Sequence, residues 1–473
     1  MGSQTDHDSF DAVIVGAGQA AAPLAAALGA AGWKTAVVER RHVGGSCINF
    51  GCTPTKALAA SARIAALARR AAEFGVRTGT IEVDFPAVMQ RARAIVARFR
   101  RGLEASLAGT DNVELIPGHA VFKDARTLAV RRPDGGSRTL EAPHIVINTG
   151  TRAALPPIRG LESLPLLHDE ALLALEALPP HLLVIGGGYV GLEFAQMFRR
   201  FGSEVSVVQR GEQLAPHEDP DVAEAMREIL VDDGVKVYLE AKILDAGRGR
   251  SSDGGSIALN LKTPTGPLRL LGSHILVATG RRPNSDDLEL AAAGVETDAD
   301  GYVRVNDRLE TSVAGIYALG DVKGGPAFTH IAYDDARVLQ ARLLGGGDAS
   351  VADRPVPYTV FTDPQLGRIG LSENEALQTG RRVLRARLQM GQVARAIETG
   401  ETRGFVKALV DADSGQILGA AALAAEGGEL MAMLQLAMMG RIPYTHLRDA
   451  VFAHPTLAES LNTLFASPQP LSR

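Results

Sequence analysis

The residues best suited to chemistry in this 473-residue sequence are its only two cysteines, Cys47 and Cys52. Both lie in the segment GGSCINFGCTPTK at residues 44–56, close enough to form a short disulfide ring. A helix that starts beside them, together with the nearby Lys56, would lower the pKa of a thiol and favour the thiolate, the form that attacks disulfides. The spacing therefore indicates a redox-active pair.

Zinc binding and two buried structural thiols are the alternatives for this pair. A structural zinc site needs four ligands, and no second pair of cysteines or histidines completes the set, so we expect no metal site. A secreted scaffold held by disulfides would use more cysteines, spread along the chain.

Composition and charge argue against several classes of protein. The formal net charge of -5 argues against a general nucleic-acid binder, and the most basic stretch, residues 91–101, has the spacing of a solvated helix face. No segment has about 18–20 consecutive apolar residues without a charged one among them, so the sequence predicts no membrane-spanning helix. Residues 1–9 are polar and do not resemble a secretory signal. We expect a cytoplasmic protein without nucleic-acid or membrane partners.

A glycine-rich pattern just before the cysteines predicts a dinucleotide site. The apolar run at residues 12–15 leads into GAGQAA at residues 16–21, a helix to about residue 31 and a strand that ends on Glu39. Such glycines let backbone N–H groups and the helix N-terminus meet a pyrophosphate, and the carboxylate binds the adenosine ribose. The alternative is packing glycines in a domain that binds no nucleotide. The predicted binding residues are Gly16, Gly18, Ala21 and Glu39.

The pattern recurs in the middle of the chain. An apolar run at residues 182–185 precedes GGGYVG at residues 186–191, a helix to about residue 200 and a strand at residues 204–208. The predicted binding residues of this copy are Gly186, Gly188 and Gly191. The two copies predict two Rossmann-type dinucleotide-binding domains.

The second copy lacks the acid at the end of its second strand. The position equivalent to Glu39 is Gln209, followed by Arg210. A carboxylate would favour NAD and repel a 2′-phosphate, so its replacement beside a guanidinium favours NADPH, with NADH still possible. The alternative for Arg210 is a solvated surface residue.

The C-terminal part of the chain differs in character. From about residue 352 short strands are followed by a helix near residues 429–439 and a second near residues 455–465, which predicts an α+β domain. Pro455 suits the first turn of that second helix and would place His454 at its entrance and Glu459 one turn in. A histidine oriented by a carboxylate can shuttle protons to a thiol, although a lone histidine is more often structural.

Four motifs resemble those of the pyridine nucleotide-disulfide oxidoreductases, the family of dihydrolipoamide dehydrogenase, glutathione reductase and mercuric reductase. Besides the cysteine segment they are ATGRRPN at residues 278–284, TSVAGIYALGDV at 311–322 and FAHPTLAES at 452–460. They occur in the family's order, and the likeness covers nearly the whole chain.

This resemblance implies that the first glycine-rich turn binds FAD and the second binds NAD(P)H. Asp321 would hydrogen-bond the FAD ribityl chain, and Lys56 would pair with Glu193 beside the flavin ring; the alternative for Glu193 is an ordinary exposed helix residue. The other residues so assigned are Gly45, Ser46, Ala120, Thr149 and Gly150 for FAD, and Tyr189 and Gly280 for NAD(P)H.

Family likeness also assigns the sulfurs. Cys52 would face the flavin as a thiolate, and Cys47 would exchange with substrate. His454 and Glu459 would reach the site from the other subunit, which implies a homodimer. The expected fold is α/β, with two Rossmann-type domains and a C-terminal α+β dimerisation domain. The predicted boundaries are residues 1–151 and 281–350 for the FAD-binding domain, 152–280 for the NAD(P)H-binding domain and 351–473 for the dimerisation domain.

The branches of the family differ in the acceptor, and the local sequence is most similar to mercuric-reductase-like proteins. Yet the C-terminal cysteine pair and the N-terminal metal-binding extension of mercuric reductase are missing, so we expect a disulfide or related acceptor. Dihydrolipoamide dehydrogenase is the alternative within the family, although Gln209 departs from its usual acid. A flavoprotein that reduces quinones or metal ions directly from FAD, or a redox scaffold without catalysis, would belong to other classes.

Overall fold

The computed structural model describes residues 6–249 and 256–471, so residues 1–5 and 472–473 at the chain ends lie outside the described residues. Its first part is built around the first glycine-rich turn. The strands are β1 (Asp6–Ser9), β2 (Ala12–Val15), β3 (Thr35–Glu39), β4 (Val113–Pro117), β5 (His119–Phe122), β6 (Thr127–Arg131), β7 (Ser137–Glu141), β8 (His144–Ile147) and β9 (Thr151–Ala153). The helices are α1 (Ala21–Ala30), α2 (Gly45–Asn49), α3 (Cys52–Arg70) and α4 (Phe85–Ala108).

Strands β8, β2, β3 and β4 are neighbours in a parallel sheet. All four residues of β2 are buried, as expected for a strand covered on both faces. Strands β1, β7, β6 and β5 form a second, smaller sheet beside it, in which only the β1–β7 pairing is parallel.

The second part repeats the design around the second glycine-rich turn. Its elements are β10 (Leu166–Leu167), α5 (Asp169–Leu173), β11 (His181–Ile185), α6 (Tyr189–Phe201), β12 (Glu204–Val208), α7 (Pro220–Asp232), β13 (Lys236–Tyr238), β14 (Lys242–Arg248), β15 (Ile257–Thr263), β16 (Gly266–Gly272) and β17 (His274–Val277). The parallel sheet has the order β10-β17-β11-β12-β13, and β14, β15 and β16 form an antiparallel sheet next to it.

The chain then returns to the first sheet. The elements of this segment are β18 (Arg281–Pro283), α8 (Leu290–Ala293), β19 (Ile316–Ala318) and α9 (Thr329–Gly345). Strand β18 pairs with β9, and β19 joins the parallel sheet beside β8. This return brings the segment after β19, with Asp321, to the edge of the sheet where the first glycine-rich turn lies.

The C-terminal part is an antiparallel sheet with helices. Its elements are β20 (Tyr358–Val360), β21 (Gln365–Gly370), α10 (Glu373–Gln378), β22 (Val383–Gln389), α11 (Ala394–Glu398), β23 (Phe405–Asp411), β24 (Ile417–Ala424), α12 (Gly427–Met439), α13 (Tyr444–Asp449), α14 (Ser460–Leu464) and β25 (Gln469–Pro470). The strand order is β20-β21-β24-β23-β22-β25. The observed architecture confirms the predicted fold class.

Of the helix expected near residues 455–465, only residues 460–464 are helical. The chain is irregular around His454, the His454–Pro455 peptide is cis, and only α14 is helical. Hydrogen bonds from side chains, and not the backbone hydrogen bonds of a helix, fix the segment before α14. The Asn462 amide donates to three backbone carbonyl oxygens between residues 447 and 450, and the Thr456 hydroxyl donates to the Ala453 carbonyl.

Each part has buried clusters of its own, and one hydrophobic cluster joins all three parts. Side chains of α3 and α4 pack with those of α6 and α7 and with β21 and β23 in a single hydrophobic cluster. Within the described ranges, no helix is long and apolar enough to cross a membrane.

Candidate active site

The two cysteines lie at the junction of two helices. Cys47 is in the short helix α2, and Cys52 is the first residue of the 19-residue helix α3. No side chain caps the start of α3, so its N–H groups and dipole favour negative charge at Cys52. Both sulfurs are free thiols in the structure, which therefore has the arrangement of the reduced pair.

The surroundings of the two sulfurs make them unequal. The hydrogen bond from Cys47 is the main cause that lowers the pKa of the Cys52 thiol to about 6; burial opposes this shift, whereas the Thr329 hydroxyl and the charge of Lys56 add to it. The Thr329 Oγ1 lies 3.3 Å from the Cys52 Sγ. The same hydrogen bond, followed by burial, raises the pKa of Cys47. Cys52 is therefore the sulfur that is stabilised as a thiolate.

The thiol segment is tied to the first glycine-rich turn. The Gly44 N–H donates to the Ala17 carbonyl at 2.7 Å, and the Gln19 amide donates to the Gly44 carbonyl at 3.0 Å. A Cβ on Gly45 would lie only 3.0 Å from the Gly18 Cα. The thiol segment and the turn that would hold a pyrophosphate thus pack backbone to backbone.

The first glycine-rich turn fits a dinucleotide. Gly16 has a φ of 101°, and a Cβ there would come 2.4 Å from the Asn148 carbonyl oxygen, so only glycine fits. Helix α1 starts without a side-chain cap, which leaves its first N–H groups for a ligand. The Glu39 carboxylate accepts a hydrogen bond from the Ala17 N–H at 2.8 Å, at the end of β3 where a ribose would lie.

The second turn has the same geometry. A Cβ on Gly186 would come 2.4 Å from the Ala278 carbonyl oxygen, whereas a Cβ on Gly188 would meet nothing within 4 Å. The Gln209 side chain accepts from the Gly187 N–H at 3.1 Å, as Glu39 accepts from Ala17. Gln209 therefore keeps the hydrogen bond of the usual acid without its charge. Arg210 beside it is exposed and forms no ion pair within the described part of the chain.

Lys56 and Glu193 are brought together by α3 and α6. The Lys56 Nζ donates to the Glu193 Oε2 at 2.7 Å, and the side chain of Glu193 is only 7% exposed. A buried carboxylate of this kind needs a charged partner. Glu193 is therefore no ordinary exposed helix residue.

Asp321 follows β19 in a short 3-10 turn at Gly320–Lys323. Its Oδ2 accepts a hydrogen bond from the Thr151 hydroxyl at 3.0 Å, and the buried Asp335 carboxylate holds the adjacent Gly320 N–H at 2.8 Å. The carboxylate is thus fixed near the carboxyl ends of β8 and β19, at the edge of the sheet where the first glycine-rich turn lies.

The remaining predicted residues are distributed over the first two parts of the chain. Ala120 is buried in β5, so its contact with a ligand would be through the backbone; Gly118, just before β5, donates to the Glu39 carbonyl. Thr149 and Gly150 follow β8, and Gly280 follows β17, whereas Ser46 is in α2 and Tyr189 and Gly191 are in the first turn of α6.

His454 and Glu459 form a pair of their own. The His454 Nδ1 lies 2.9 Å from the Glu459 Oε2, and the histidine side chain is 71% exposed. The pair forms without the predicted helix around it. It lies on the surface of the C-terminal part and is available to another molecule.

Three residues near the site escaped the sequence analysis. Thr329 lies against Cys52, and Phe361 donates its N–H to Glu193 at 2.8 Å. Glu218 accepts hydrogen bonds from the Tyr189 and Tyr358 hydroxyls at 2.6 and 2.5 Å. Nothing in the sequence around Thr329 indicates its contact with Cys52. Phe361 and Glu218 are likewise distant from the site in sequence, and only the folded chain brings them to it.

Comparison with known proteins identifies the family. Residues 10–336 match the family described as "Pyridine nucleotide-disulphide oxidoreductase", and residues 356–465 match its dimerisation domain. The chain is 35% identical over 463 residues to the Escherichia coli protein "Probable pyridine nucleotide-disulfide oxidoreductase RclA", which covers 97% of this chain and 99% of that one. It is 34% identical over 457 residues to a mercuric reductase of Lysinibacillus sphaericus, across 96% of this chain and 82% of that protein.

A solved structure agrees with these matches. The structure described as the "Cu(II) complex of HOCl-induced flavoprotein disulfide reductase RclA from Escherichia coli" superposes with a TM-score of 0.88 at 35% identity, over 97% of this chain and 99% of that one. The chain belongs to the pyridine nucleotide-disulphide oxidoreductases, flavin-dependent enzymes that use FAD and NAD(P)H.

Proposed function

We propose that this chain is an NADPH-dependent reductase that works through FAD and the Cys47–Cys52 pair on a small disulfide. The observation that carries the proposal is the asymmetry of the two sulfurs. Cys52, at the start of α3, has a pKa of about 6, whereas the pKa of Cys47 is raised. One sulfur is suited to remain a thiolate beside the flavin, and the other to exchange with substrate.

The bound cofactors would supply the redox chemistry: NADPH gives a hydride, and FAD passes the electron pair to the disulfide. The side chains hold and orient them. The two glycine-rich turns would bind the pyrophosphates, and Glu39 and Asp321 the adenosine ribose and ribityl hydroxyls of FAD. The 2.7 Å Lys56–Glu193 pair would keep an ammonium charge beside the flavin ring.

Cys47 would perform the exchange with substrate. Because its pKa is raised, it needs a base to become nucleophilic. His454 of the partner subunit, oriented by Glu459 of the partner subunit, would take that proton and return it to the leaving thiol. Cys47 attacks the acceptor disulfide and releases one thiol; Cys52 then attacks the mixed disulfide and releases the second. In sum, NADPH, a proton and one disulfide give NADP⁺ and two thiols.

Anaerobic titration with NADPH tests this proposal. We expect a broad absorption band on the long-wavelength side of the flavin peak, the sign of a thiolate beside flavin. The Cys52→Ser variant should lose both the band and disulfide reduction while its flavin is still reduced by NADPH. Disulfide reduction that survives in this variant would mean that the acceptor takes electrons directly from FAD. A screen of lipoamide, glutathione disulfide and other small disulfides as acceptors would then identify the substrate.

The preference for NADPH rests on Gln209 and the exposed Arg210 beside it. Gln209 keeps the hydrogen bond to Gly187 but leaves no negative charge against a 2′-phosphate. We expect Gln209→Glu to lower kcat/KM for NADPH by about 10-fold or more and to spare NADH, since like-charge repulsion of about 1.4 kcal/mol is a factor of ten. A wild-type kcat/KM for NADH that equals or exceeds that for NADPH would contradict the assignment.

Cu(II) is a second candidate acceptor, favoured by the description of the RclA structure as a Cu(II) complex. Thiolates favour Cu(I), the product of the reduction, so the sulfurs of Cys47 and Cys52 would hold the reduced ion. Elsewhere in the described ranges, the one grouping of three possible ligand side chains is a set of carboxylates already bound to Lys407. If Cu(II) is the acceptor, NADPH-driven formation of Cu(I) should exceed disulfide reduction and should fail in Cys47→Ser.

A further inference from the structure

We propose that Phe361 is a positioning residue for the Lys56–Glu193 pair and that the segment of residues 361–363 fixes this pair against helix α6. This segment joins β20 to β21 in the C-terminal sheet, so the dimerisation domain itself would set the position of the charged pair. The inference rests on the proposed function, in which the pair lies beside the flavin.

Phe361 contacts both members of the pair. Its backbone N–H donates to the Glu193 Oε1 at 2.8 Å, while the Glu193 Oε2 accepts from the Lys56 Nζ at 2.7 Å. The Lys56 Nζ also lies 4.6 Å from the centre of the Phe361 ring, within the range of a cation–π interaction. One residue therefore holds the carboxylate through its backbone and the ammonium through its ring.

Helix α6 holds the same segment at two further points. The Gln196 side chain accepts from the Asp363 N–H at 2.8 Å and donates to the Asp363 carbonyl at 2.9 Å. The Arg200 guanidinium donates to the Asp363 Oδ2 at 2.6 Å. Glu193, Gln196 and Arg200 are three and four residues apart, so they share one face of α6, and all three are buried.

This buried polar face has a consequence for the nucleotide site. Helix α6 begins at the second glycine-rich turn, so its N-terminus would bind the NADPH pyrophosphate while its polar face binds residues 361–363. The position of Lys56 relative to the nicotinamide therefore depends on the C-terminal domain through Phe361. Loss of the ring would leave the Glu193 hydrogen bond and release one side of the ammonium.

The variants Phe361→Leu and Phe361→Tyr separate the ring from the backbone contact. Leucine keeps the N–H but removes the ring, whereas tyrosine keeps both. Phe361 is 36% exposed, so both variants should fold. Phe74→Leu is the matched control, because Phe74 is also an exposed phenylalanine and lies outside the site.

Two measurements on the purified holoenzyme test the inference. The first is acylation of lysines by an amine-reactive ester, measured at Lys56 by mass spectrometry with the exposed Lys123 as an internal reference. Without the ring, one side of the Lys56 amine loses its cover, so we expect Lys56 to react about threefold faster in Phe361→Leu. The second is the limiting rate of flavin reduction by NADPH in anaerobic stopped flow. This rate should fall about fivefold, while the apparent Kd for NADPH stays unchanged.

Phe361→Tyr should restore both values to within about twofold of wild type, and Phe74→Leu should leave them unchanged. Equal Lys56 reactivity and equal flavin reduction rates in Phe361→Leu and wild type would overturn the inference. Failure of the proposed function is a separate outcome, because it would appear as absence of the long-wavelength band in the wild-type enzyme.

Discussion

At the scale of single residues, the chemistry depends on neighbours that are distant along the chain. Cys52 and Thr329 are 277 positions apart, and Lys56 and Glu193 are 137 apart, yet each pair is within hydrogen-bond distance. Residue type and local spacing identified Cys47 and Cys52, because two thiols beside a helix start are a local signal. Thr329 and Phe361 could not be identified in this way, since nothing in their own segments indicates the side chain they meet.

The Thr329 hydroxyl gives the first prediction. The pKa of about 6 predicts that Cys52 is a thiolate above about pH 6 and a thiol below it. Thr329→Val removes a hydrogen bond to the thiolate and should raise the midpoint by about one pH unit. The measurement is the pH dependence of the long-wavelength absorption of the dithiothreitol-reduced holoenzyme. Thr329→Ser keeps the hydroxyl and should keep the midpoint, and an unshifted midpoint in Thr329→Val would show that this contact is unimportant.

At the scale of elements, local patterns predicted the strand–turn–helix units well. The second strand of the second copy was expected at residues 204–208 and lies there, and α6 ends within one residue of its predicted end. These units are predictable because the glycines, the apolar run and the helix are contiguous. The helix expected near residues 455–465 forms only at residues 460–464, and the irregular chain before it is held by hydrogen bonds such as those from the Asn462 amide to carbonyls of residues 447–450.

The joint between α7 and the C-terminal sheet gives the second prediction. Lys407 on β23 is 2% exposed and binds three carboxylates: Asp219 at 2.9 Å, Asp221 at 2.7 Å and Glu373 at 2.9 Å. Lys407→Met would leave these carboxylates without their cation, and removal of one partner from a buried pair costs about 3–5 kcal/mol. We expect a clear fall in Tm by thermal unfolding, whereas the exposed Lys262→Met should change it little.

The pH dependence of this joint has a definite sign. Burial lowers the pKa of Lys407, but the three carboxylates outweigh burial and the net shift is upward. A raised lysine pKa stabilises the fold fully below the unfolded value of about 10.4 and loses that contribution as the pH rises through the folded value. The stability difference between wild type and Lys407→Met should therefore be constant near neutral pH and shrink only above about pH 10.5. A difference that already disappears at pH 8 would contradict this account.

At the scale of the whole molecule, the proposed function makes the site in one chain incomplete. The thiol segment packs against the first glycine-rich turn, whereas His454 and Glu459 lie on the surface of the C-terminal part, where the histidine side chain is 71% exposed. The family's dimerisation domain covers this part. The sequence predicted the pair through a motif, but a single chain does not contain the distance between His454 and Cys47 in an assembly. The proposal that His454 acts across a dimer is tested by an experiment that shows whether the two groups of one site come from different subunits.

Co-expression of two inactive variants supplies that experiment. In Cys47→Ser the thiol is lost and His454 is intact; in His454→Ala the reverse holds. If His454 acts on the partner's thiol, a mixed dimer contains one complete site, formed by Cys47 of one subunit and His454 of the other. Random pairing makes about half of the dimers mixed, so disulfide reduction should recover to about one quarter of wild type per subunit. If the histidine acts within its own chain, every site in the mixture lacks one group, and activity will stay at the level of the separate variants.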